Sequence, residues 1–163
     1  MTLLRGLAAI TVAAVMAVAG ATPSVAQETV SVTVPAGIYF HVTDVSRSTS
    51  GMPTSTRIAF SDSSLDIGKA LRLSVHADTS TFEPPAGPPI PASLVSWTAL
   101  GASGGVGWNG TLSSSSYELV FQVDPGEASA HVDLAWALAP PGSGIRAGMH
   151  QLTIRWKIES ITP

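Results

Sequence analysis

Apolar and polar residues alternate along most of this chain once its first 26 residues are passed. In residues 151–159, QLTIRWKIE, an apolar side chain stands at every second position, and mainly charged or hydroxyl side chains fill the positions between. A period of two predicts a β-strand with one buried and one solvated face, because successive side chains of a strand point to opposite sides. The same period recurs, in whole or in part, over residues 30–34, 38–42, 57–60, 71–75, 93–100, 117–123, 132–138 and 152–158.

Segments rich in glycine, proline and serine separate these candidate strands, as in residues 46–54, 83–91, 101–116 and 139–148. Short strands with such punctuation are typical of antiparallel sheets that are wet on one face. We therefore expect an all-β fold, an Ig-like antiparallel β-sandwich of about eight strands. The segment Pro35-Ala36-Gly37 either kinks one long strand or separates two. Residues 101–116, GASGGVGWNGTLSSSS, are low in complexity and predict a mobile loop.

The N-terminus has the layout of a secretory signal peptide. Arg5 carries one positive charge, residues 7–19 form an uncharged apolar run, and Ser24-Val25-Ala26 places small residues before Gln27. The apolar run is shorter than the roughly 20 residues that a spanning helix needs. We expect residues 1–26 to be a cleaved leader, and residues 27–163 to form one domain with no membrane span. The protein is then secreted or held in a bacterial envelope, with a periplasm as one possible compartment.

The charge of the chain limits the classes of partner that it can bind. Eleven acidic against eight basic residues give the chain a formal net charge of −3, and it contains no cysteine. Nucleic-acid binding needs clustered positive charge to neutralise phosphates, so we expect no nucleic-acid partner. Without cysteine, neither a disulfide nor a thiolate metal site can form.

Candidate chemistry is sparse along the chain. No two histidines have the His-x-His or His-x-x-x-His spacing that would bring two imidazoles to one metal. With no assembled catalytic constellation in the sequence, we expect a noncatalytic protein without a cofactor or a catalytic residue. The histidines in question are His41, His76, His131 and His150.

The densest group of oxygen ligands lies in residues 61–66, SDSSLD. Asp62 and Asp66 supply two carboxylates, whereas a calcium loop uses more ligands and a glycine at its sharp turn. Two interpretations stay open: a weak cation site near these aspartates, or a turn in which Asp and Ser side chains bond to nearby backbone N–H groups.

The four tryptophans divide into two kinds. Trp97, Trp136 and Trp156 occupy inward positions of predicted strands, which indicates core packing. Trp108 lies in the glycine-rich segment, followed by Asn109. An exposed tryptophan on a loop can stack on a sugar ring or dock a partner, so both residues are candidate ligand or partner contacts. Alternatively, Trp108 folds back over an open end of the sandwich.

The C-terminal third, residues 132–163, resembles the end of the WxL-type bacterial cell-surface domain. Trp136-Ala137-Leu138 is a literal Trp-x-Leu, and residues 147–150, AGMH, resemble the AGxY turn of that family. Residues 152–158 resemble its final strand, with Trp156-Lys157-Ile158 where the family has a second Trp-x-Leu. The resemblance implies a β-sandwich displayed on the bacterial envelope and held noncovalently to wall glycan.

These observations favour a secreted, noncatalytic, envelope-associated binding or adhesion domain whose partner is cell-wall glycan or another envelope protein. The alternative is a structural subunit of a secreted fibre or pilus, self-assembled by strand addition at a sheet edge. In that case the alternating segment 28–34 would be the donated strand.

Overall fold

The computed structural model describes residues 28–83, 88–145 and 147–163, without the side chain of Asp62. The predicted leader lies outside these residues. The described residues include no helix that could span a membrane.

The described chain is built from strands. A single turn of 3-10 helix, Ala92–Leu94, precedes the sixth strand. The strands are β1 (Thr29–Thr33), β2 (Tyr39–Phe40), β3 (Thr49–Met52), β4 (Thr56–Ser64), β5 (Ala70–Ala77), β6 (Val95–Ser103), β7 (Gly105–Gly107), β8 (Gly110–Thr111), β9 (Glu118–Val123), β10 (Ala130–Leu138) and β11 (Ile154–Ile161).

The strands form two antiparallel sheets. In the larger sheet β10 is central: β6 pairs with it along one side, while β4 and β3 share its other side. β1 pairs with β4, β2 with β3 and β8 with β6, which completes seven strands. The smaller sheet has the order β11-β5-β9-β7. The all-β, antiparallel part of the prediction is therefore confirmed.

Both sheets contribute to one apolar core. The ring of Phe60 in β4 lies 5.8 Å from the ring of Phe121 in β9, centroid to centroid, which brings one sheet against the other. Burial of such side chains is the main favourable contribution to folding in a chain without disulfides. The largest fully buried side chains are those of Trp97, Phe121, Ile58, Leu73, Leu134, Val75, Val120, Val123 and Val132.

The glycine-rich segment 101–116 is not one continuous loop, and the prediction of a mobile loop is wrong for residues 101–111, whereas residues 112–116 lie outside the strands. It contains the end of β6, all of β7 and all of β8. The chain leaves the larger sheet at Gly104, whose φ of +69° is in the left-handed region that favours glycine. A Cβ atom on Gly110 would lie 2.3 Å from Cζ2 of Trp97. Glycine is present there because the backbone packs directly on a buried ring.

Each of the eight predicted segments contains a strand, and three strands were missed. β7 and β8 lie in the glycine-rich segment, and β3 lies where a turn was predicted. Gly51 of β3 packs so closely that a Cβ atom would lie 3.0 Å from Cβ of Trp136. In these strands the backbone itself packs against another part of the chain, which requires glycine. They therefore lack the alternating apolar residues on which the prediction depends. The segment Pro35-Ala36-Gly37 separates two strands, β1 and β2.

Candidate ligand-binding site

The two residues predicted to contact a ligand lie between β7 and β8 and are held in place. The backbone N–H of Trp108 donates to the carbonyl of Val120 at 2.9 Å, and its carbonyl accepts from Nε1 of Trp97 at 2.8 Å. Oδ1 of Asn109 accepts a hydrogen bond from the backbone N–H of Ala99 at 2.9 Å. Trp108 is half-buried and Asn109 is exposed. Their role as ligand contacts stays a prediction.

A shallow pocket of about 480 Å³ opens at the end of the molecule where β5 ends and β6 and β9 begin. The buried residues Ala92 and Leu112 form an apolar part of its lining. Trp108 and Asn109 are not among the described residues that line it. The polar lining consists of Ser80, Ser93, Thr111, Ser113, Ser114, Ser115 and Glu118.

The serine run on one wall of the pocket is ordered by its own hydrogen bonds. Oγ of Ser113 accepts from the backbone N–H groups of Ser115 and Ser116, each at 3.2 Å. The hydroxyl of Ser116 then donates to Oε1 of Glu118 at 2.6 Å. Serine hydroxyls that bond to nearby backbone N–H groups stabilise a turn. The wall is therefore a formed turn with hydroxyl and carboxylate groups beside it.

An aromatic cluster lies next to this wall, on the outer face of the smaller sheet. The rings of Tyr117 and His76 stack with centroids 5.0 Å apart, and Nζ of Lys157 lies 5.5 Å from the centroid of the Tyr117 ring. Nε2 of His76 lies 3.0 Å from the carbonyl oxygen of Ser114, a pocket residue. Since a carbonyl only accepts, Nε2 carries the hydrogen. Tyr117 is fixed by these contacts and still 44% exposed.

Charged pairs surround the aromatic cluster on the same outer face. Nζ of Lys157 lies 2.7 Å from Oε1 of Glu159. The guanidinium of Arg155 donates to the carboxylate of Asp78, and this hydrogen bond holds the pKa of Asp78 below its usual range. The same contact raises the pKa of Arg155. Both groups stay charged at neutral pH, so the face beside the pocket presents paired charges rather than a field of one sign.

A second ion pair lies on the larger sheet. Nε and a terminal nitrogen of Arg57 donate to the two carboxylate oxygens of Asp133 at 2.8 and 2.7 Å. This two-bond contact is the main cause that holds the pKa of Asp133 below its usual range, against the opposing effect of its desolvation. Arg57 and Asp133 stand opposite one another in the register of β4 and β10, so the ion pair links these two strands.

A motif for nucleophilic catalysis escaped the sequence reasoning. Residues 101–105, GASGG, match Gly-x-Ser-x-Gly, which in hydrolases forms a sharp turn from a strand to a helix. Here the pentapeptide leads from β6 to β7, from strand to strand. Ser103 stands opposite His131 in the register of β6 and β10, yet no hydrogen bond joins these two described side chains. The motif therefore lacks both the turn and the nucleophile–base contact that its chemistry needs.

The structure describes only part of the candidate cation site near Asp62 and Asp66. The backbone N–H of Asp66 donates to Oε1 of Glu28 at 3.2 Å, whereas the side chain of Asp62 lies outside the description. Among described residues, no group of three histidine, aspartate or glutamate side chains is placed to hold a metal ion.

No protein-family model, no curated protein and no solved structure matches this chain. The resemblance to the WxL-type domain therefore stays a prediction. Its two motif tryptophans do meet in the fold, since the rings of Trp136 and Trp156 form an edge-to-face contact with centroids 6.4 Å apart. Trp136 is buried, and Trp156 is half-buried and packs against the core.

Proposed function

We propose that this protein is a noncatalytic binding domain of the bacterial envelope, secreted through the leader in residues 1–26, that holds a hydroxyl-rich ligand. The ligand class is cell-wall glycan. The observation that carries the proposal is the pocket at the end of the sheets, whose polar lining is almost entirely hydroxyl groups. Within this proposal the two sheets form an Ig-like sandwich whose end loops present the site.

The chemistry of the lining suits a sugar. Each serine or threonine hydroxyl donates one hydrogen bond and accepts others, as the hydroxyl and acetamido groups of a glycan also do. Ala92 and Leu112 add apolar surface for the ring carbons, and Tyr117 lies exposed beside the pocket. Sites for small polar ligands commonly combine a few directed polar groups with apolar and aromatic surface.

Electrostatics separates the ligand classes. Glu118 is the one charged side chain among the described residues of the pocket lining. A carboxylate accepts hydrogen bonds from hydroxyl, amide or ammonium groups and repels a phosphate or carboxylate ligand. The pocket therefore favours neutral or amino-bearing glycan over anionic wall polymers.

The direct test is sedimentation of the protein, expressed from the full-length sequence, with purified cell-wall sacculi. We expect the wild type to pellet with the sacculi and Ser93→Leu to stay in the supernatant, because the added side chain occupies the pocket. Glu118→Gln keeps the shape of the lining and should weaken binding about fivefold, as expected for loss of one hydrogen bond to a charged group.

Ser129→Leu is the matched control. Ser129 is exposed in the turn between β9 and β10, at the far end of β9 from Glu118. This variant should pellet like the wild type. A wild-type protein that stays soluble with sacculi contradicts wall glycan as the ligand. Binding to whole envelopes but not to purified sacculi would instead point to an envelope protein as the partner.

We also propose a second candidate, a subunit of a secreted fibre assembled by strand addition. The observation that favours it is the position of β1, an N-terminal strand that pairs with β4 at the edge of the larger sheet. Val30 and Val32 of this strand are only half-buried. A strand held this loosely can be exchanged between copies. Filaments in electron micrographs of the purified protein would support this candidate, and particles of one or two chains contradict it.

A further inference from the structure

Strand β11 is a long edge strand with an open side. Within residues 28–83, 88–145 and 147–163 it pairs with β5 alone, along its whole length from Ile154 to Ile161. A row of backbone N–H and C=O groups on such an edge is a template for another strand. Natural proteins block such an edge with charged side chains, lysine above all, with proline or a bulge, or with a charged side chain that points inward. The inward side chains here are Ile154, Trp156 and Ile158, which carry no charge.

The backbone groups that point to the open side can be assigned. The backbone N–H of Asp78 donates to the carbonyl of Thr153, its opposite neighbour in the register of β5 and β11. In an antiparallel pair the bonding residues alternate. Odd-numbered residues of β11 therefore bond to β5. The N–H and C=O groups of Trp156, Ile158 and Ser160 point away from it.

The outward side chains of β11 make the edge complementary to itself. Arg155, Lys157 and Glu159 lie on its outer face. When two β11 strands run antiparallel with Ile158 opposite Ile158 of the second copy, Lys157 stands opposite Glu159 of that copy, and the same contact occurs again by symmetry. Of the antiparallel registers that keep inward residues inward, this one alone opposes unlike charges without opposing like charges anywhere.

The inward face fits the same register. Trp156 stands opposite Ser160 of the second copy, and the small serine leaves room for the indole ring. Trp156 and Ile158 are only half-buried in the single chain, so an added strand covers their open flank. Lys157 and Glu159 fall in pairs that do not exchange backbone bonds across the new interface, where side chains approach most closely.

We propose that β11 pairs antiparallel with β11 of a second copy of this chain, about a two-fold axis at Ile158. The pairing joins the two smaller sheets into one continuous sheet with about six new backbone hydrogen bonds. Because both partners use the same edge, the contact is isologous and closes as a dimer. This inference is independent of the ligand-binding proposal, since the pocket residues lie outside β11.

Charge reversal tests the pairing. In sedimentation equilibrium of the protein expressed from the full-length sequence, we expect a concentration-dependent monomer–dimer equilibrium. Lys157→Glu and Glu159→Lys should each raise the dimer dissociation constant about tenfold, because each places like charges opposite one another twice. The double variant restores unlike pairs and should return to within about threefold of the wild type. Arg57→Glu, on the larger sheet away from β11, is the control and should dimerise like the wild type.

The register has its own test, since the natural chain contains no cysteine. Under mild oxidation Ile158→Cys should give a covalent dimer, because its two copies face each other at the axis within disulfide range. Ser160→Cys stands opposite Trp156 of the second copy and should not cross-link. The thermal unfolding midpoint of each variant shows that it is folded.

Three results would overturn the proposal. The first is a wild-type protein that stays monomeric up to about 1 mM. The second is a dimer that neither single charge reversal weakens or the double reversal fails to restore. The third is cross-linking at position 160 and not at 158, which would place the strands in another register.

Discussion

Strands β10 and β11 have nearly the same pattern and lie in different environments. Both alternate inward apolar with outward residues, and both place one tryptophan inward. In β10 every inward residue is buried, with at most 5% of its surface exposed, whereas the inward apolar residues of β11, Ile154, Trp156 and Ile158, are half-buried. The reason is the number of neighbours, because β10 is paired along both sides and β11 pairs with β5.

The difference teaches that alternation reports which face of a strand is inward but not how central the strand is. The outward residues carry more of that information. β10 has two alanines among its outward positions, Ala135 and Ala137, and β11 has Arg155, Lys157 and Glu159. Charged side chains on an outer face remain hydrated at the edge of a sheet, where water reaches them from two sides. The concentration of charge in one short segment is thus a property of an edge strand.

The largest expected effect on stability comes from removing the inward tryptophan of each strand. Trp136→Ala should lower the free energy of unfolding by about 4 kcal/mol, since the ring is buried against Trp97 and its Nε1 donates to Oγ1 of Thr56. Trp156→Ala should cost about 2 kcal/mol, because its half-buried ring leaves a cavity open to water. Urea unfolding at neutral pH measures both, and equal losses would show that the edge position does not matter.

A smaller effect is expected from filling space beside the central strands. Gly110→Ala places a methyl group 2.3 Å from the ring of Trp97, which is held by its hydrogen bond to the carbonyl of Trp108. We expect a loss of about 2 kcal/mol in urea unfolding, since a crowded core resists added volume. Gly101→Ala is the matched control, because a Cβ atom there meets nothing within 4 Å. A Gly110→Ala protein as stable as this control would contradict the close packing.

The smallest effect concerns the ion pairs that join each strand to its neighbour. The pKa of Asp133 is held low by its two hydrogen bonds from Arg57. A carboxyl whose pKa is lower in the folded state stabilises the fold above its unfolded pKa, and this contribution disappears as pH falls through the folded value. Asp133→Asn should cost under about 1 kcal/mol at pH 7. Its difference from wild type should vanish as the pH falls below about 4.

Asp78→Asn is the edge-strand counterpart, because the bond from Arg155 also holds the pKa of Asp78 low. It should lose its difference from wild type over the same acidic range. Thermal unfolding midpoints measured from neutral to acidic pH follow both variants. A difference that persists or grows at acidic pH would show that these pairs do not stabilise the fold in the expected direction.

Much of the fold could be predicted because its signal is local. The eight segments with a period of two each contain a strand, and Trp97 and Trp136 lie buried as expected. The glycine-rich segment could not be predicted, because its residues are chosen for contacts with distant parts of the chain. Gly110 is required because its backbone packs on the ring of Trp97, and no local sequence pattern shows that contact.

The candidate site was harder to predict from the sequence than the fold. The sequence offers Trp108 and Asn109 as candidate ligand contacts, and the fold uses the Asn109 carboxamide and the Trp108 main chain to hold β6 and β9. The pocket draws its hydroxyl groups from separate segments: Ser80 after β5, Ser93 before β6, Thr111 at the end of β8, and the serines at 113–115 after it. The one sequence signal was the run of serines before Tyr117, which composition alone assigned to a loop.

The sequence by itself determined the all-β class, the inward face of each alternating strand and the absence of disulfides, because these follow from residues and their nearest neighbours. Only the tertiary structure decided that β10 is central and β11 is an edge, that the glycine-rich segment crosses between sheets at Gly104, and that hydroxyl groups meet in one pocket. Each of these depends on strand pairings between residues far apart in the chain. An alternating pattern shows which side of a strand faces water. The packing of the whole domain decides which strands become its partners.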